Sequence, residues 1–317
     1  RVIFLAYTYI AFPFRPRLLL SNAGALLGFS FWVVVQSLAT YLALFNDEVI
    51  VRRASPTDEF GLYHVSRDLS RVLVSELVAP AATALLPGLA RLQGDRPRFR
   101  AAARQAVGAG VIIATACGLG LSATAPEVVA LLLGRQWAGA PPYLAYLAIG
   151  VAAQTVAGLH RSILLAMGRP AWSALLWLIR AAVLFAACSV AIGQGGALAV
   201  AAAYAAASVL LTVLDYVALF GWLGQPAAIL RLLVRPVIAG LAMTAVLVLL
   251  PFPDAPAAVL ALVKAGVGAM VYGGALGFAW WLAGRPQGPE TALLNRMPGP
   301  LGRLAVRLLP SRPPHLG

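Results

Sequence analysis

This chain has little of what a water-soluble protein needs. Charged residues make up 11% of its 317 positions, and there is a single lysine, Lys264. A chain so poor in charge and 61% hydrophobic lies outside the soluble globular range, so water is not its main solvent. Only two cysteines are present, Cys117 and Cys188, both in the middle of apolar stretches, which excludes a disulfide framework or a cysteine metal site. The three histidines, His64, His160 and His315, sit at unrelated depths. With no glycine loop ahead of a strand to cradle a phosphate and no Ser/His/Asp set gathered on one side, no catalytic constellation or cofactor site is apparent, and an enzyme reading is disfavoured.

What is abundant is apolar length. The mean hydropathy is +0.85, and stretches such as 197–223 and 257–283 exceed the roughly 20 helical residues that cross a hydrocarbon core of about 30 Å. The pattern predicts an all-α polytopic membrane protein with about seven full transmembrane helices plus a truncated N-terminal one. The spans expected are 22–45, 61–92 (interrupted by Pro80 and Pro87), 105–125, 140–167, 171–192, 197–223, the stretch after Arg235, and 257–283. Residues 1–14 read as the end of a helix in a chain cut from a longer protein. Residues 46–60, carrying Asp47, Glu48, Asp58 and Glu59, read as a polar extracytoplasmic connection, and 126–137 as an amphipathic stretch at the outer interface.

Charge is distributed by side. Fifteen arginines fall on every second connection, against Arg52, Arg53 and Arg135 on the others, which sets the orientation and places the basic tail 284–317 in the cytoplasm. The net charge of +13 therefore marks loops facing anionic lipid headgroups and does not point to nucleic acid.

Charges inside spans cost about 2.5 to 3.5 kcal/mol each on insertion scales, so those retained face the bundle interior or a wet cavity. On the helix from Gly61, one arc holds His64, Arg67, Asp68, Arg71 and Ser75. Asp68 and Arg71 are spaced to pair, leaving Arg67 as free positive charge for an anionic ligand, unless Arg67 and Arg71 snorkel to headgroups. The hairpin of 171–192 and 197–223 places Arg180 about 15 Å below the membrane surface, with Asp215 as its natural partner on a face shared with Tyr204, Ser208 and Thr212. Gln154, Gly158 and Arg161 share another face; for Arg161 ligand contact and snorkelling both stay open. His160 reads as a packing histidine, and Lys264 lies close enough to the outer end to snorkel.

Several phrases together resemble bacterial polysaccharide-type flippases, the Wzx-like members of the multidrug/oligosaccharidyl-lipid/polysaccharide exporter superfamily. They are Glu59-Phe60-Gly61-Leu62-Tyr63, Leu86-Pro87, the run from Leu133 to Ala140, and Ala166-Met167-Gly168-Arg169-Pro170. The resemblance implies a C-terminal six-helix lobe over 15–224, an additional two-helix hairpin over 225–283, and a flippase of the inner membrane. It further implies a substrate, undecaprenyl-pyrophosphate-linked oligosaccharide, moved by alternating access for surface polysaccharide such as lipopolysaccharide or exopolysaccharide, with export machinery as a further partner. Arg67, Arg71 and Arg180, then Arg161 and Gln154, become candidates for holding the diphosphate, with Asp68, Ser75, Tyr204, Ser208, Thr212 and Asp215 in support. The rivals are a cation-coupled drug exporter of the same superfamily, a membrane polymerase or ligase acting on the same lipid, and a scaffold of an export complex.

Overall fold

A computed structural model describes residues 23–76, 88–89, 91–92, 94–253 and 255–282. The described chain is helical throughout, with α1 (Ala23–Ala54), α2 (Thr57–Ser70), a π-helical turn (Arg71–Ser75), α3 (Arg96–Ala123), α4 (Ala125–Leu132), a 3₁₀ turn (Arg135–Trp137), α5 (Pro141–Ala166), α6 (Pro170–Trp222), α7 (Pro226–Leu249) and α8 (Ala257–Leu282). Six of these are long and apolar enough to cross a membrane, and α6 is long enough to do so twice. The helix end expected at 1–14, the interruption expected at Pro80 and Pro87, and the tail 284–317 lie outside the described residues.

The 53-residue α6 is two antiparallel spans. Gly195 and Gly196 leave helical geometry, Gly196 at φ +65°, a conformation that a side chain strains. The chain folds back there, so that Trp172 meets Trp222 at 5.1 Å between ring centroids and Arg180 meets Asp215. The expected hairpin and its register are both present. Glu59 receives the new helix: its Oε1 accepts from the Ala197 backbone N–H (3.0 Å) and from the Tyr143 hydroxyl (3.2 Å), satisfying one of the orphan donors at that terminus.

The segment expected to be a polar loop is helical instead. α1 continues to Ala54 and only Ser55 and Pro56 separate it from α2. The polar residues of its last three turns are tolerated because neighbouring helices meet them: Asn46 donates to the Ala181 carbonyl at 3.1 Å, and Asp47, fully buried, accepts from Tyr63 and Arg67. The arginine-rich connection near residue 96 is likewise shorter than expected. Asp95 caps α3 by accepting from the Arg98 N–H at 3.1 Å, which places Arg96, Arg98 and Arg100 on the first turns of the helix.

α1 packs along the α6 hairpin, α5 between α6 and α3, and the α7–α8 pair against α3. The α3–α5 contact is close because Gly118 offers no side chain; a Cβ there would lie 2.6 Å from that of Ala152. Outward faces are apolar, with Leu27, Phe31, Val34, Leu38 and Tyr41 forming an exposed stripe along α1 at helical spacing, as a hydrocarbon surround requires. The described residues thus form an all-α, multi-pass membrane fold.

Candidate functional site

Along α5 the bundle opens into a cavity of about 640 Å³ bounded by α1, α2, the π-helical turn and both spans of α6. Arg67, Asp68, Arg71, Ser75 and Glu76 line one wall, Gln154, Thr155, Gly158 and Arg161 the opposite one, and Trp177 and Tyr204 close the back. Most of the residues singled out in the sequence therefore meet around one space. The exceptions are Arg180, Ser208, Thr212 and Asp215, which stand behind the cavity wall.

The four arginines differ in freedom. Arg67 is buried to 1% exposure. It donates from Nη2 to Asp47 Oδ1 (3.2 Å) and to the Leu44 carbonyl (2.7 Å), and its guanidinium lies 4.1 Å from the Tyr204 ring centre. Asp47 is held in turn by the Tyr63 hydroxyl at 2.6 Å. The expectation of free charge at Arg67 is corrected here: its partners are two carboxylates on α1, Asp47 and, 3.9 Å from Nε, Glu48, rather than any residue of its own helix. Its Nε and Nη1 nevertheless have no hydrogen-bond partner.

Arg180 is fixed more completely. It donates to Asp215 Oδ2 (2.6 Å), Thr212 Oγ1 (3.2 Å) and Gln154 Oε1 (3.0 Å), all from within the bundle. Two charges removed from water hold together only with such geometry, and the hydroxyl and amide satisfy donors that the carboxylate does not reach. Thr212 also donates to the Ala153 and Ser208 carbonyls, so the face carrying Tyr204, Ser208, Thr212 and Asp215 turns inward as a unit, all four buried. Gln154 connects this cluster to the cavity.

Arg71 and Arg161 are the cations available to the cavity. Arg71 is half-exposed, 3.8 Å from Asp68 and 5.1 Å from the Phe45 ring centre. The expected Asp68–Arg71 pair is thus present but loose. No carboxylate comes within ion-pair range of Arg161 among the described residues, and Ser75 exchanges a hydrogen bond with Thr155 (3.2 Å) across the space between the two arginines' helices. The π-helical turn from Arg71 to Ser75 inserts a residue into the helical register, a feature found disproportionately at functional sites.

Beside the cavity mouth, Glu48 and Asp68 flank His64, 3.5 Å from Nδ1 and 3.6 Å from Nε2. The carboxylates address opposite ring nitrogens of the imidazole. Elsewhere, His160 packs edge-on against Tyr216, as a packing histidine should. Lys264 does not snorkel: it pairs with Glu127 of α4 at 2.5 Å. Asp47, Glu59, Tyr63, Glu127 and Thr155 all contribute to these clusters and were not among the candidate site residues of the sequence. A signal for Asp47 exists in the apolar run Val49-Ile50-Val51, which continues the helical pattern past it.

Residues 1–142 match the family model described as polysaccharide biosynthesis protein, and no curated protein matches the chain. Among solved structures, the lipid II flippase MurJ in its inward closed conformation is similar at 13% identity with a TM-score of 0.67, over 90% of this chain. The chain therefore has the fold of that flippase over the part it spans. It spans 60% of that flippase's length.

Proposed function

We propose that this chain serves a flippase that moves undecaprenyl-pyrophosphate-linked oligosaccharide across the inner membrane by alternating access, with its arginine-rich end and C-terminal tail in the cytoplasm. The observation that carries this reading is the polar cavity, which Arg71 of the π-helical turn and Arg161 of α5 both line without a tight carboxylate partner. A diphosphate with attached sugars crosses hydrocarbon only inside a screened polar cleft, and guanidinium forks match phosphate oxygens two at a time.

Arg71 and Arg161 are assigned to the diphosphate. Arg67 also lines the cavity, held in place by Asp47 and Glu48. Gln154 and Ser75 suit sugar hydroxyls. Arg180 acts through Gln154, as a positioning residue. Asp68 tempers the charge of Arg71, while Tyr204, Ser208, Thr212 and Asp215 form the rigid back wall. Small residues on α6 between Ala199 and Ser208 allow close packing that can slide as the cavity opens. The other partners in this reading are membrane lipids and the polysaccharide export machinery.

The test is export of surface polysaccharide in cells that depend on the whole protein. Arg71→Gln and Arg161→Gln together are expected to abolish export at unchanged membrane abundance, and Arg71→Lys to retain part of it. Normal export in the double variant removes the cavity arginines from the mechanism.

A further inference from the structure

We infer that a second, separate pocket, at the arginine-rich end of the bundle, binds a phosphate group of the kind an anionic lipid headgroup carries. The pocket measures about 410 Å³ and lies between the first turns of α3, the Gly168 turn and the last turn of α6. It shares no residue with the transport cavity.

Three guanidiniums, those of Arg96, Arg100 and Arg169, line this one space. Three like charges around one space favour an anion there, and the chain supplies none: the adjacent carboxylate, Asp95, is engaged with Arg98 at 3.2 Å. Among the described residues no carboxylate lies within ion-pair distance of the three. Forked guanidiniums approaching from two different elements are the arrangement that binds phosphate oxygens.

The arginines are also placed. Arg169 lies 5.4 Å from the Trp222 ring centre, which holds its plane against the pocket wall. Arg100 is seated at Gly224, where the chain turns at φ +69° and a Cβ would come 3.5 Å from Nη2. Phe99 is buried beneath them.

Depth selects the source of the phosphate. Trp172 and Trp222, in edge-to-face contact at the two ends of the α6 hairpin, mark the interfacial layer in which tryptophan concentrates and in which lipid phosphates lie. From Trp172, the exposed residues Leu175, Ile179 and Val183 continue down one face of α6 as an apolar track. A headgroup in the pocket would lay its acyl chains along that track. Bound there, the lipid would tie the start of α3 to both ends of the hairpin.

The experiment is native mass spectrometry of the whole protein in neutral detergent, titrated with dioleoylphosphatidylglycerol or dioleoylphosphatidylcholine, with inorganic phosphate as competitor. Phosphatidylglycerol is expected to bind at least about tenfold better than phosphatidylcholine, as charge-assisted hydrogen bonds from two or three arginines require. Arg100→Gln with Arg169→Gln should remove that preference, Arg100→Lys with Arg169→Lys should keep most of it, and Arg52→Gln with Arg53→Gln, at the other end of the bundle, should leave it intact. Displacement by phosphate means the site takes the bare anion; failure to displace means the acyl track contributes, and either result upholds a phosphate site. Equal binding of the two lipids, or an unchanged preference in the glutamine pair, overturns it. If that pair does not fold, Arg96→Gln decides: its exposed side chain supports nothing in the fold, and undiminished phosphatidylglycerol binding refutes the proposal.

Discussion

Replacing Asp215 with leucine leaves Arg180 as an isolated charge with 2% of its side chain exposed. Thr212 and Gln154 can still accept hydrogen bonds from it, but neither carries a compensating charge. Breaking a buried pair in this way costs about 3 to 5 kcal/mol, and an unpaired arginine in the middle of a span costs about 2.5 to 3.5 kcal/mol on insertion scales, so two independent routes give a similar loss. Arg180→Met alone is expected to cost less, since a lone carboxylate can take up a proton whereas a guanidinium cannot shed one. The double variant Arg180→Met with Asp215→Leu should recover most of the stability, because replacing both ions by apolar groups removes the uncompensated charge. Equilibrium unfolding of the purified protein in mixed micelles, followed by circular dichroism, measures the coupling as the difference between the double variant and the sum of the singles. Additive losses would refute the pairing. The same double variant separates structure from transport: a stable protein that still exports shows that Arg180 is dispensable once its partner is gone, and a stable protein that does not export shows that its hold on Gln154 is needed.

At the hairpin turn, Gly196→Ala must adopt φ +65° and bring a Cβ to 3.1 Å from Glu59 Oε1, so a loss on the order of 1 to 3 kcal/mol is expected in the same unfolding assay. Glu59→Ala removes the cap on Ala197 and the Tyr143 contact and should cost about 0.5 to 2 kcal/mol, while Glu59→Gln should cost less. Gly118→Ala meets the Ala148 carbonyl at 3.2 Å as well as Ala152 and is expected to destabilise by about 1 to 3 kcal/mol. Gly158→Ala, with nothing within 4 Å, should leave stability unchanged although it narrows the cavity. Lys264→Met should loosen α8 from α4 and expose both helices to proteolysis, and Lys264→Met with Glu127→Leu should restore resistance.

The sequence carried the interactions that local geometry determines. Arg180 and Asp215 could be matched because a short turn fixes the register of the two spans it joins, and Asp68 with Arg71 because three residues along a helix bring side chains to one face. It did not carry the partner of Arg67. Asp47 sits in a run dense in polar residues, where composition favours a loop, and only the packing of α1 against α2 turns that run into a buried helix end. Glu127 and Lys264 are 137 positions apart on helices brought together by the intervening bundle, and no periodicity along the chain relates them. Cavity residues were legible as cost, since each is polar where apolar residues dominate. Which of them would be free and which paired was decided by neighbours from other helices.

The carboxylate of Glu59 touches α2 through its own backbone, α5 through Tyr143 and the re-entering half of α6 through Ala197. Three helices are therefore riveted together at one apex by a single side chain. On the proposed alternating-access reading, a bundle joined at that apex is expected to open first at the far end, where the arginines and tryptophans gather.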